Sequence, residues 1–286
     1  MSEMIKETKL QKALAAVGRG AVYIVMSLFA LMTLYPIFWL IMNSFKTTRE
    51  FQVSQLAFPR APTLQNYVEA WKMGDFGLLF PNSVLYTLGA TAGIIFLSLM
   101  AGFAFAKLKS RATKLIYNSF VIGILLTTQT LMIPLFLEVN LLGLYNTRLA
   151  VLLVYIGAGL PIGIYLATEY IKAIPSAVVE SARIDGAGFF TIFLKIIVPM
   201  SVPVATTLAM LNITGLWNEF ALINILVSKT ELKSLPLGIY KFSGSLSTDY
   251  GKQFAALTIG MVPMLVFYMI FRKQITKGVA AGAIKG

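Results

Sequence analysis

The chain contains no cysteine and no histidine. Without cysteine it forms neither disulfides nor thiolate metal sites. Without histidine it lacks the commonest general base and the commonest metal ligand. Acidic residues are scarce: 12 stand against 24 Lys and Arg, for a formal charge of +12. Nowhere does a G-x-x-x-x-G-K-[ST] segment occur, so this polypeptide does not cradle nucleotide phosphates by that loop. No nucleophile–base–acid arrangement stands out either. What remains is apolar. Hydrophobic residues make up 57% of the 286 and charged residues 13%. That balance points to a polytopic, all-α membrane protein with one membrane domain. The positive charge would suit nucleic acid, but the basic residues lie in short loops between apolar runs. There they orient spans and meet anionic lipid headgroups, so membrane lipid is an expected partner and nucleic acid is not.

Six apolar runs are long enough to cross a hydrocarbon core, which takes about 20 residues of helix. They predict spans at about 20–42, 83–106, 115–137, 149–168, 201–227 and 254–271. The runs are too long and continuous for barrel strands, which take about 9–11 alternating residues. The first follows a polar segment with Lys6, Lys9, Lys12 and Arg19. It exceeds the h-region of a signal peptide, about 7–15 residues, and reads as a retained span. Pro36 is expected to kink it. Residues 43–82 read as a polar, turn-rich stretch broken by Pro59, Pro62 and Pro81, with Tyr67 and Trp71 as interfacial side chains. With the N-terminus inside, the inner segments hold 15 of the 24 Lys and Arg and the outer segments 9. That excess agrees with the positive-inside rule and places both termini in the cytoplasm.

Between the fourth and fifth runs lies a loop, 169–200, that cannot itself span. It carries Glu180, Arg183, Asp185 and Lys195. Pro175 suits the first turn of a helix. Val178, Val179 and Ala182 then share one side at helical spacing. Asp185-Gly186 is a turn dipeptide. Phe189, Phe190, Phe193, Ile196 and Ile197 fall on one face of a second helix, opposite Thr191 and Lys195. Residues 175–199 thus form a helical knob with an aromatic base and a small polar tip. The pattern alone allows two uses: docking in a partner's groove, or lying on the lipid surface.

The same residues resemble the cytoplasmic "EAA" loop of binding-protein-dependent ABC importer permeases. That loop reads E-A-A, three residues, Gly, nine residues, Ile, one residue, Leu-Pro. Here stand Glu180, Ser181, Ala182, Gly186, Ile196, Val198 and Pro199, with Ser and Val as small departures. Asp185 and Ala187 flank the glycine. The ending, with Gly282, Ala283, Lys285 and Gly286, is similar to the G-A-x-K-G terminus of the maltose-type, carbohydrate branch. The segments N-S-F-K at 43–46, P-T-L-Q-N-Y at 62–67 and W-N-E-F at 217–220 are similar to that branch too. The resemblance implies six transmembrane helices with a cytoplasmic helical coupling loop. It implies a permease subunit of an ATP-driven importer for an oligosaccharide or other carbohydrate, in a bacterial or archaeal inner membrane. Such a subunit is no enzyme and holds no cofactor. ATP and magnesium belong to two separate ATPase subunits, which would grip the loop and the cytoplasmic tail, 272–286. A second, non-identical permease and an external solute-binding protein complete the expected set.

Composition alone would make the tail a frayed end; the resemblance makes it a contact. Inside the predicted spans, Glu219 is the one acid, a costly group that should face protein or water. Asn212, Gly215, Leu216 and Glu219 share a helical face. Together with Gln129, from the T-T-Q-T interruption at 127–130, they are candidates for a translocation pathway. The other reading of Glu219 is a helix-gluing partner or a group reaching headgroup water. Two other functions remain open: an ABC permease for another solute, such as glycerol-phosphate or a polyamine, and a stand-alone secondary transporter. The latter should carry internal repeats and more buried ionisable groups.

Overall fold

The structure, a computed structural model, describes residues 9–108, 110–243 and 249–283, with side chains over 17–108, 110–242 and 249–274. Every regular element among the described residues is helical. In order these are α1 Lys9–Ser44, α2 Thr48–Val53, α3 Gln65–Met73, α4 Phe76–Lys107, α5 Arg111–Gly123, α6 Thr128–Leu141, α7 Arg148–Lys172, α8 Ser176–Ile184 and α9 Phe189–Ile192. A π-helical turn, Phe193–Ile197, follows, then α10 Val198–Met200, α11 Val202–Trp217, α12 Ala221–Leu226, α13 Leu235–Tyr240 and α14 Tyr250–Ala283. Hydroxyl caps open several of them. Thr47, Ser110, Thr127 and Thr147 each accept a backbone N–H three residues on, which satisfies a donor the helix leaves unpaired.

Four helices are long and apolar enough to cross a membrane: Val17–Ser44 within α1, α4, α7, and Tyr250–Gln274 within α14. Two further pairs qualify only if each bent pair counts as one span, α5 with α6 at 109° and Phe189–Met200 with α11 at 72°. The segment expected as a span at 115–137 is therefore not one straight helix but a bent pair, broken between Gly123 and Thr128. Thr127 and Thr130, taken there as polar groups within a span, instead start a new helix, with the Thr130 N–H donating to Thr127 Oγ1 at 3.4 Å. The segment expected as a span at 201–227 is interrupted likewise, because α11 stops at Trp217 and α12 begins at Ala221. Pro81 lies inside α4, which starts seven residues before the expected span, so it does not break the chain there. Pro36 lies within the continuous α1. The segment expected as a basic tail continues α14 as far as Ala283.

The chain divides into two compact units. The first comprises residues up to 70 together with 246–259. Its centre is aromatic: Phe51 packs against Phe254 and Tyr250, each at 4.9 Å between ring centroids, and Trp39 against Phe254 at 5.2 Å. Such tilted pairs add about 0.5–1.5 kcal/mol each beyond area burial. The Asn66 amide donates to the Ser44 and Lys46 carbonyls at 2.8 and 2.7 Å. Lys252 bridges Glu69 at 2.7 Å and Asp249 at 3.0 Å. Buried Lys46 donates to the Ser54 carbonyl at 3.0 Å. Loss of water around it lowers its pKa, against the pull of Glu50.

The second unit comprises 71–245 and 260–286. Its spine is the α4–α7 pair. A Cβ on Gly102 would lie 2.9 Å from the Ala167 Cβ and 3.0 Å from the Thr168 nitrogen, so only glycine lets these helices come this close. α11 packs along α4, and α5 along α7. At one end of α4, Asn82 donates to the Glu231 and Lys233 carbonyls, Tyr86 to the Leu232 carbonyl, and the Leu235 N–H to Ser83. These bonds tie the 228–235 connection down. At the other end sits the loop between α7 and α11.

Candidate functional site

Three residues, 173–175, separate the last turn of α7 from the first turn of α8. Lys107, at the end of α4, donates to the Ile174 carbonyl at 2.6 Å and so anchors that link. Pro175 is the residue before α8, with ψ at 133°, so it starts the helix from outside rather than within its first turn. The far end of α8 explains the E-x-A-x-x-x-G spacing. The Ala187 N–H donates to the Ala182 carbonyl at 2.9 Å, and the Gly186 N–H to the Arg183 carbonyl at 3.0 Å. These two bonds are a Schellman cap, which requires a left-handed residue just past the helix. Gly186 supplies it at φ +82°. Ala182 and Ala187 close the turn on its apolar side, where both join one buried cluster.

The second limb is more irregular than periodicity suggests. Pro199 has no N–H to give the Lys195 carbonyl, and its ring crowds that turn. The helix widens before it: the Val198 N–H reaches back five residues to Phe193, and residues 193–197 form the π turn. This shift in register corrects the expected apolar face. Ile192, Phe193 and Ile197 are buried, Ile196 is half-buried, and Phe190 is 69% exposed. Ile192 was absent from the sequence reading because a uniform 3.6-residue period puts it off the face.

Together the buried side chains form the base of the knob. Val179, Ala182, Ile192, Phe193 and Ile197 share a cluster with Leu99 and Phe103 of α4, Ala167 and Ile171 of α7, and Leu208 of α11. Phe103 meets Phe189 at 4.8 Å and Phe193 at 6.1 Å between ring centroids. The tip is the opposite. Glu180, Ser181, Arg183, Asp185 and Gly186 are exposed, beside Ile184, which is 86% exposed. Ser181 turns its hydroxyl back to the Ala177 carbonyl at 2.7 Å. Among the described residues no hydrogen bond or ion pair holds the side chains of Glu180, Arg183 or Asp185. Of the residues expected to couple to a partner, then, Glu180, Ser181, Asp185 and Gly186 face outward, with Pro199 exposed further along. Ala182 faces inward, while Ala187 and Ile196 are half-buried. The tip is not folded back onto the molecule's own helices.

Residues expected to line a pathway are not brought together. Gln129 is exposed in the first turn of α6. Asn212 is half-buried and donates to the Leu208 carbonyl of its own helix at 2.8 Å. Gly215 is exposed on α11. Glu219 lies beyond the end of α11, so it does not share a helical face with Asn212 and Gly215. Its carboxylate accepts the Leu222 and Ile223 N–H groups at 2.6 and 3.1 Å and the Tyr155 hydroxyl at 2.5 Å. That is a cap on α12 joined to α7. Tyr155 was missed, and a lone tyrosine in an apolar run gives no signal of its own. An apolar cavity of about 330 Å³ between α6 and α7 is lined by none of these four residues. Gly282 and Ala283 end α14, while Lys285 and Gly286 lie outside the described residues.

A family model described as "Binding-protein-dependent transport system inner membrane component" matches residues 94–280. The chain is 30% identical to the diacetylchitobiose uptake system permease protein NgcG of Streptomyces coelicolor, over 97% of this chain and 93% of that one. It is 31% identical to the multiple sugar-binding transport system permease protein MsmG of Streptococcus mutans, over 92% and 96%. Its fold matches a chain in the crystal structure of a bacterial ABC transporter involved in import of the acidic polysaccharide alginate. The TM-score there is 0.82 at 20% identity, covering 93% of this chain and 98% of that one.

Proposed function

The chain belongs to the inner membrane components of binding-protein-dependent transport systems, and from that footing we propose that it is the permease subunit of a carbohydrate importer driven through the knob at 175–199. The family consists of ABC transporter permeases, which are not themselves enzymes. Work therefore has to reach this chain from an ATPase that is not part of it. One observation carries the reading: a tip with unpaired charged groups stands on a base locked into three helices.

That arrangement is a lever. The knob joins α7 directly through residues 173–175 and leads into α11 through the 72° bend. Its base is buried against α4 as well. Each large apolar side chain buried there stabilises the attachment by about 1.5–3 kcal/mol. A partner gripping the tip then moves three helices together, and a soft attachment would let the motion slip. A ligand shifts a conformational equilibrium only as far as it prefers one state. In this reading, ATP closure of two nucleotide-binding subunits supplies that preference, and a second permease supplies the other half of the pathway. An external binding protein presents the sugar. The inner side holds the knob and both termini. The carbohydrate assignment draws on the relatives' uptake of diacetylchitobiose and multiple sugars.

The test is Gly186→Val in the complete transporter. Nothing lies within 4 Å of a Cβ at this position, so packing is unaffected. Left-handed backbone costs an ordinary residue about 1–2 kcal/mol, and a β-branched one more, so the Schellman cap opens and the tip changes shape. Membrane insertion should be normal while sugar uptake falls tenfold or more and ATP hydrolysis continues. Uptake at the parental rate would overturn the lever.

A further inference from the structure

We propose that the cleft bounded by the end of α4, the start of α5 and the end of α7 binds the phosphate of an anionic membrane lipid. The cleft encloses about 570 Å³, within the range of small-molecule sites. Three cations line it, Arg111, Lys114 and Lys172. Lys172 is already engaged: its ammonium lies 2.7 Å from Glu169 Oε1 and 5.0 Å from the Tyr117 ring centroid. The Tyr117 hydroxyl donates to the same carboxylate oxygen at 2.8 Å. Glu169 is thus held on the α7 side and neutralises Lys172 alone. Arg111 and Lys114 are exposed, and their side chains hold no hydrogen bond or ion pair among the described residues. The cleft therefore keeps two uncompensated positive charges.

Its other polar groups suit phosphate oxygens. Ser110, Thr113 and Asn118 line the cleft with hydroxyl and amide donors. Ser110 and Thr113 already share one hydrogen bond at 2.6 Å, which fixes both at the start of α5. The first turn of that helix adds the Arg111 and Ala112 backbone N–H groups, which the Ser110 cap leaves without an intrahelical partner.

The setting favours a lipid over a dissolved anion. Leu108, Leu115 and Ile116 beside the cleft are 45%, 70% and 50% exposed, surface on which an acyl chain can lie. α4 and α7 each carry a stretch apolar enough to cross the membrane, so the cleft at their ends stands at headgroup depth. Basic pockets between transmembrane helices at that depth are the setting in which anionic headgroups bind. This inference needs the membrane reading of α4 and α7 but not the docking of the knob, so either can fail alone.

The experiment is native mass spectrometry of the full chain in neutral detergent. It is titrated with phosphatidylglycerol, phosphatidylcholine of the same acyl chains, or inorganic phosphate. The parent chain should hold phosphatidylglycerol tenfold or more tighter than phosphatidylcholine. The double variant Arg111→Gln, Lys114→Gln should lose that preference about tenfold and keep its phosphatidylcholine binding. Equal phosphatidylglycerol retention by parent and variant would overturn the proposal. So would displacement of the lipid by inorganic phosphate at matched concentration, which would mark a site for a free anion. Should the double variant aggregate, Lys114→Glu alone gives the same readings.

Discussion

At the scale of single residues, Glu219 makes the sharpest difference between two roles. As a cap it serves two N–H groups of α12 and the Tyr155 hydroxyl. Losing a cap costs about 1–2 kcal/mol, and a stranded buried hydroxyl adds to that. Glu219→Ala should therefore lower the melting temperature of the purified chain in detergent. Glu219→Ala in a Tyr155→Phe background should cost less than in the parent, since the two groups share one bond. A substitution that altered apparent sugar affinity and left thermal stability unchanged would make Glu219 a pathway residue instead. The pair of Glu69 with Lys252 makes a second prediction. The Lys252 hydrogen bond, with help from Gln65, holds the half-buried Glu69 carboxylate below the ordinary range. A depressed folded-state pKa gives stability that is present above the unfolded value and lost as pH falls through the folded one. Acid titration of thermal stability should show this slope, and Glu69→Gln should flatten it.

Among elements, the two ends proposed to meet a partner differ in construction. The α8 tip is shaped by its own cap and is fixed before any partner arrives. The end of α14 is a continuation of a 34-residue helix, about 51 Å long at 1.5 Å per residue. That exceeds the roughly 30 Å of a hydrocarbon core, so the helix extends well beyond the apolar layer. In the importer reading, this projection brings the terminus to the ATPase. Deleting residues 281–286 should then reduce recovery of the ATPase subunit in pull-downs from membranes, with the permease itself inserted at its usual level. Unchanged recovery and unchanged uptake would remove the tail from the contact.

For the whole molecule the decisive property is sidedness, and the absence of cysteine makes it directly measurable. Lys195 and Lys229 are both exposed and lie at opposite ends of α11 and α12. With a membrane-impermeant maleimide, Lys195→Cys should be protected in intact cells and labelled in inverted vesicles. Lys229→Cys should show the reverse. Labelling of Lys195→Cys from outside would place the knob beyond reach of an intracellular ATPase. The helical class, the loop between α7 and α11, and its E-S-A-x-x-x-G frame were legible from composition and spacing. Those signals are local, because hydropathy reports what a segment can leave in lipid and Gly186 reports a backbone angle. The breaks at 124–127 and 218–220 were not legible as bends, since a few polar residues such as T-T-Q-T or Asn218-Glu219 inside a long apolar run fit a continuous span as well as a broken one. Nor was the burial of Ile192 in place of Phe190, beside the π turn that precedes Pro199. The amino-acid order by itself determined a membrane-embedded bundle with a polar handle it cannot submerge. Only the tertiary structure decided which side of that handle is clamped and which is free, and that Glu219 caps a helix. Those outcomes depend on what α4, α7 and α11 offer across long sequence distances, and no local pattern encodes the partner a side chain will meet.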